Sequence, residues 1–229
     1  PCASSTEVAE NADIFIPMVP KSELSSAVYE EIIPVLGPGT TCIDMSTIDP
    51  GVSVELAGKV KATGAEFLDA PVVKSKPAAI AGKLGIYVGG SEEAYGKMRP
   101  ILLYMGENVM RLGDNGKGLV MKICHNALVS QIQNGVNETS SLAALNGIDI
   151  LTFAQAISYG GAGNWYLDSK KDVLAKEDYT TAFSIENEHK DVHICLNLAK
   201  ECGFSMPGEE NAARVYDKAM EMGIGKEDF

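Results

Sequence analysis

A single lysine stands in a stretch where charge is scarce. Between Leu119 and Val136 the only formal charge is Lys122, and a helix brings Asn126, Val129 and Gln133 onto its face, within a sector of about 60°. A helix this poor in charge is buried along most of its length. Burial strips solvation from an ammonium, so its pKa falls from the usual ~10.4 towards neutrality, where it can take or give a proton. An amine beside two amides is equipment for holding an oxygen-bearing substrate and moving one of its protons. Spacing alone leaves catalysis and packing both open.

A second grouping is the loop Val73-Lys74-Ser75-Lys76-Pro77, which follows Asp69-Ala70-Pro71-Val72. Two cations and a hydroxyl in an acidic chain make a seat for an anion, or an exposed basic loop. The loop lies between a strand at Glu66-Phe67-Leu68 and a returning strand at Leu84–Val88, flanked by Gly82, Gly89 and Gly90. Strand ends are where open α/β sheets bind ligands. His189 and His193 stand four apart, a helical spacing that can chelate zinc. Lys190, however, replaces the glutamate of the protease motif, and the sequence places no third ligand. Gly113-x-x-Gly116-x-Gly118 fits neither the dinucleotide fingerprint nor the phosphate loop and reads as a turn plus a helix entry.

These residues need elements to position them. An apolar run over residues 13–19, broken by Pro17, predicts an edge strand. A helix follows from Ser22 to Ile33, ended by Pro34; then come a strand at 41–45 and a helix over 50–62. After the strands at 66–68 and 84–88, a helix at 91–103 has Ser91 as its cap, and Val109-Met110-Arg111 closes this half. Beyond the turn Gly113-Asp114-Asn115-Gly116 only helical periodicity remains, over 118–146, 150–158, 183–202 and 209–222, with a flexible link at Gly160–Trp165. The expected organisation is an α/β domain over residues 1–114 and an all-α domain over 115–229.

Composition narrows the field of functions. The chain has 229 residues, 45% of them hydrophobic, and 19 Lys plus Arg against 31 Asp plus Glu, a net charge of −12. That suffices for a real core, and it opposes binding to nucleic acid. No apolar run is long enough to span a bilayer, and the first residues do not read as a signal peptide. The five dispersed cysteines form no Cys-x-x-Cys pair and suit reduced thiols. A soluble cytoplasmic protein, with neither nucleic acid nor membrane as partner, is expected.

Taken in order, Asp69-Ala70-Pro71-Val72, Gly82-x-Leu84, Gly89-Gly90, Gly116-x-Gly118, Lys122, Asn126 and Lys190-Asp191 resemble the β-hydroxyacid dehydrogenases. The resemblance implies a Rossmann-type α/β domain followed by an all-α domain, NAD or NADP as cofactor, and no metal. It implies interconversion of a small 3-hydroxy acid, or a similar anionic hydroxy compound, with its aldehyde or keto form. Lys122 matches the family's catalytic lysine, Asn126 its substrate-holding amide, and Lys190 and Asp191 positions near the cofactor. Val19, Pro20 and Thr47 match strand-end positions that line the cofactor.

Two departures shape the expectation. Relatives commonly continue Asp-Ala-Pro-Val with Ser-Gly-Gly, where this chain has Val73-Lys74-Ser75. Lys74 resembles the basic substitution of sulfolactaldehyde-reductase-like members, and His125-Asn126 resembles the His-Asn pair of 6-phosphogluconate dehydrogenases. Val73, Lys74, Ser75, His125 and Asn126 are thus the expected substrate contacts, for a strongly anionic substrate. The glycine-rich dinucleotide fingerprint is also absent; by family comparison it belongs upstream of Pro1. The chain is therefore expected to lack the first part of its Rossmann domain, with the residues that choose between NAD and NADP, and to continue past Phe229. A homo-oligomer through the helical domain is expected. The alternative function is a non-catalytic assembly or anion-binding protein of the same fold.

Overall fold

Helices and strands alternate through the first half of the chain: α1 (Ser5–Glu10), β1 (Ile14–Phe15), α2 (Ser22–Ile32), a 3-10 turn (Ile33–Val35), β2 (Thr41–Asp44), α3 (Pro50–Lys61), β3 (Glu66–Asp69), β4 (Val72–Val73), α4 (Lys76–Ile80), β5 (Leu84–Gly89), α5 (Glu92–Leu102) and β6 (Gly106–Gly113). Helices alone follow: α6 (Lys117–Leu145), α7 (Ile150–Ile157), α8 (Trp165–Lys176), α9 (Ile185–Glu201) and α10 (Pro207–Glu221). The computed structural model describes residues 2–229. It comprises two units, one ending at Cys124 and the other His125–Phe229.

In the first unit β1, β2 and β3 are parallel neighbours. β5 runs antiparallel to β3 and β4 and parallel to β6. The pairs Asp69 with Gly89, Val72 with Ile86 and Val73 with Gly85 keep one register, so β3 and β4 are a single line of chain interrupted at Ala70-Pro71. Pro71 has no N–H for the ladder, but its carbonyl accepts from the Tyr87 N–H at 3.1 Å. Successive residues of the central strands feed opposite faces. Cys42 and Phe67 join Tyr29, Ile32, Leu56 and Val60 in one core cluster, whereas Ile43 and Leu68 join Ile86, Val88, Ala94 and Leu102 in another. Helices α2 and α3 thus cover one face and α5 the other, the layering expected of the α/β half.

Several elements differ from the sequence reading. The strand expected over residues 13–19 is only Ile14–Phe15, because Pro17 lacks an N–H and the chain beyond it leaves the ladder. The short β4 and α4 were not expected, nor was α8, whose residues mix charge and apolar character too evenly to show a face. Local chemistry still starts α8: the Asn164 side chain caps it by accepting from the Leu167 N–H at 2.9 Å.

The helical unit has its own core, with Val136, Ala154, Tyr166 and Leu167 in one cluster and Ile185, Val192, Ala213 and Tyr216 in another. Phe229 packs with both, its ring 5.8 Å from Tyr166 and 5.4 Å from Phe183. Among the described residues no helix is long and apolar enough to cross a membrane.

Candidate active site

The entry of α6 is fixed by one carboxylate. Asp69, buried at the end of β3, accepts from the backbone N–H of Gly116 at 2.7 Å and of Leu119 at 3.1 Å. These are donors that a helix start leaves without partners, and the helix dipole favours an anion there. Burial pushes the Asp69 carboxyl up, against the hydrogen bonds that pull it down. Two glycines make the room: a Cβ on Gly89 would lie 2.5 Å from Asp69 Oδ1, and one on Gly118 would lie 2.7 Å from the Tyr87 carbonyl oxygen. The aspartate of Asp-Ala-Pro-Val and the second glycine of Gly116-x-Gly118 are thus two halves of one joint.

From that joint α6 presents a buried polar stripe. Lys122 is 7% exposed and Asn126, one turn on, 5%; Ser130 and Gln133 continue the row, also buried. Gln133 was expected on this face; Ser130 was missed, since a lone serine in a helix carries no signal. Ser130 Oγ donates to Glu209 at 3.0 Å, and Gln131 Nε2 reaches the same oxygen at 3.1 Å. Gln133 Oε1 accepts from the Tyr216 hydroxyl.

Asn126 belongs to a second chain of contacts. Its Nδ2 donates to Asp191 Oδ2 at 2.6 Å, and Lys190 Nζ sits 2.6 Å from Asp191 Oδ1. Asp191, itself buried, therefore uses both oxygens to hold Asn126 and Lys190. The contact orients the amide: with Nδ2 committed to a carboxylate, Oδ1 must point elsewhere as an acceptor. His125 is half-buried beside Asn126 on the same helix.

The remaining predicted residues sit at strand ends of the first unit. Met45 N–H donates to the Pro17 carbonyl at 3.0 Å and Val19 N–H to Ser46 Oγ at 2.9 Å. The segments carrying Val19-Pro20 and Thr47 therefore lie side by side just past β1 and β2, where parallel sheets hold cofactors. In the loop after β4, Val73 is buried, and its Cγ2 fills the space over Gly85. Its side chain serves the sheet, leaving its backbone for any ligand. Lys74 has φ of 73°, a left-handed conformation that suits glycine. Its ammonium contacts Glu107 Oε1 at 2.6 Å and the Lys83 carbonyl at 2.9 Å, and this pair holds the Glu107 carboxyl below its usual range. Ser75 caps α4 without a side-chain cap bond. A cavity of about 300 Å³ in the helical unit is lined by Ser130, Gln133, Tyr166, Lys170 and Tyr216; Gln133 lines it, whereas Lys122, Asn126, Lys190 and Asp191 do not.

Comparison with known proteins gives this geometry a context. The family model for the NAD binding domain of 6-phosphogluconate dehydrogenase matches residues 1–113, and that for the NAD-binding of NADP-dependent 3-hydroxyisobutyrate dehydrogenase matches residues 116–229. The mitochondrial 3-hydroxyisobutyrate dehydrogenase of Drosophila melanogaster is 31% identical over 99% of this chain and 72% of its own length. The chain belongs to the β-hydroxyacid dehydrogenase family. An NAD-dependent L-serine dehydrogenase of Pseudomonas aeruginosa is 29% identical over 99% of the chain and 79% of its own. The 3-hydroxyisobutyrate dehydrogenase of Mycobacterium tuberculosis, solved with L-serine, superposes with a TM-score of 0.91 at 26% identity, covering 99% of this chain and 80% of that one. As a β-hydroxyacid dehydrogenase the chain is an NAD(P)-dependent oxidoreductase acting on CH–OH groups of small hydroxy acids, with the Rossmann-type and helical parts that the sequence led one to expect.

Proposed function

We propose that Lys122 is the proton donor and acceptor of this β-hydroxyacid dehydrogenase, acting on a small hydroxy acid that carries a strong or second negative charge. The observation that carries this reading is the burial of Lys122 at 7% exposure, in a helix whose first turn is fixed by Asp69. An amine withdrawn from water exchanges its proton readily only where a substrate oxygen arrives to take it or give it. A bound nicotinamide would supply the hydride acceptor for oxidation and the hydride donor for reduction. Lys122 takes the hydroxyl proton in the first direction and returns one to the carbonyl oxygen in the second. Asn126, oriented by Asp191, offers the substrate its amide oxygen. The backbone of Val73, with Lys74, Ser75 and His125, is the proposed seat for the substrate's anionic groups.

Val19, Pro20 and Thr47 fit a nicotinamide cofactor, NAD or NADP, because their segments are tied together at the ends of adjacent parallel strands. Lys190 and Asp191 are the proposed cofactor contacts of the helical part. A division into residues 1–114 and 115–229 fits the two family matches, which leave residues 114–115 between them. Five cysteines that form no disulfide suit a cytoplasmic setting. Assembly with further copies through the helical part is supported by large exposed apolar side chains there, Leu145 at 85% and Trp165 at 68% among them.

Replacing Lys122 tests the assignment. Lys122→Met in the full-length enzyme is expected to lose turnover by a factor of about 10²–10⁴ while cofactor affinity, read by fluorescence titration, is retained. Near-normal kcat in this variant would remove the lysine from the chemistry.

A further inference from the structure

A cluster on the helical unit has no part in this scheme. His189 and His193 occupy adjacent turns of α9, their ring centroids 4.4 Å apart. Each Nε2 lies 2.9 Å from the same atom, Oδ1 of Asp217 on α10. The two imidazoles pull the Asp217 carboxyl below its usual range, His193 the more strongly. Asp191 projects about 160° from each of the two histidines around α9, counted at 100° per residue. The cluster therefore faces away from the Asn126–Asp191–Lys190 contacts.

We propose that His189, His193 and Asp217 bind a divalent transition-metal ion of the zinc type, bridging α9 and α10. All three ligand atoms lie within 4.8 Å of one another. Around a tetrahedral ion with bonds of about 2.0–2.1 Å, ligand atoms stand about 3.3 Å apart. The two 2.9 Å contacts need only a few tenths of an ångström of opening, which surface side chains can supply. Two neutral imidazoles and a carboxylate are borderline ligands that favour zinc, copper or nickel over magnesium. For the ion to enter, each imidazole carries its proton on Nδ1, and the Nε2 lone pairs face the metal. All three side chains are half-exposed, so an ion has a route in and water completes its shell. The cations beside them in sequence have partners of their own: Lys190 Nζ contacts Asp191, and Arg214 Nη2 donates to Asn211 Oδ1 at 2.9 Å. A net charge of −12 further raises the local cation concentration. Hydride transfer needs no metal, so the bridge is a structural clip on the helical part.

The test uses untagged full-length protein with its cysteines alkylated, so that exposed thiols such as Cys124 and Cys202 do not take up metal. Titration with zinc chloride by calorimetry is expected to give one equivalent per chain and a rise in Tm, as for any ligand that binds only the folded state. His193→Asn and Asp217→Asn should each weaken zinc by about ten-fold or more and reduce the Tm rise at the same zinc concentration. Magnesium chloride should produce neither effect, a comparison that needs no variant. Zinc that neither binds nor shifts Tm, equal affinity in the parent and both variants, or magnesium acting as zinc does would each overturn the site. Turnover of the parent enters none of these readouts, so failure here is distinct from failure of the Lys122 assignment.

Discussion

Lys74 shows how a single side chain can carry both a cost and a use. Its left-handed backbone disfavours any residue with a Cβ by about 1–2 kcal/mol, yet the position holds a lysine whose ammonium stands at a loop proposed to seat an anion. The comparison of Lys74→Gly with Lys74→Ala separates the two effects. Both remove the charge and its exposed pair with Glu107; only glycine relieves the backbone. The glycine variant should be the more stable of the two by about 1 kcal/mol in urea unfolding. Both should raise KM for the anionic substrate with cofactor Kd unchanged, and an unaltered KM in both variants would take Lys74 out of the site. At this scale the sequence was most legible where a residue type was conspicuous by context, as with Lys122 in an uncharged helix. It was least legible where meaning comes from a distant partner: Asp217 lies 24 residues from His193, on another helix, and only folding makes it the third member of that group.

Elements carry the site only as firmly as their ends are tied. Removing the Asp69 carboxylate in Asp69→Ala leaves two buried backbone N–H groups at the start of α6 without their acceptor, a loss of about 1–3 kcal/mol. Asp69→Asn keeps an acceptor and should recover part of it. Chemical denaturation measures the order, parent above Asn above Ala; an alanine variant as stable as the parent would show that the cap is dispensable. Helix and strand positions were readable wherever period and punctuation agreed: Ser91 does cap α5, accepting from the Ala94 N–H at 3.1 Å, and Pro34 lies within the 3-10 turn that follows α2. Elements of two to five residues, β4 and α4, were not, because so short a run completes no period. The last strand is longer than expected, Gly106–Gly113, since its exposed residues Glu107, Asn108 and Met110 do not alternate with buried ones.

For the molecule as a whole, carboxyls shifted by burial contribute to the response to pH. Asp44, Asp69 and Glu209 are all pushed up by burial, in each case against hydrogen bonds that pull the other way. A carboxyl whose folded pKa exceeds its unfolded one binds its proton better in the folded state. Its contribution is fully present below the unfolded pKa and is lost as pH climbs through the folded one. Glu209→Gln, which cannot ionise, should therefore gain stability relative to the parent as pH rises from about 4 to 8. Thermal melts of the pair across that range read the difference, and parallel curves would refute it. The sheet, the helical half and their order were legible at this scale because alternation and its end are properties of long windows. The joint at Asp69 was not, since it unites residues about fifty positions apart. That joint sets a clock for the whole protein: each residue added or deleted between Gly116 and Lys122 would turn the amine by about 100° around α6. An insertion in the loops on either side would leave this six-residue count, and with it the direction of the amine, unchanged.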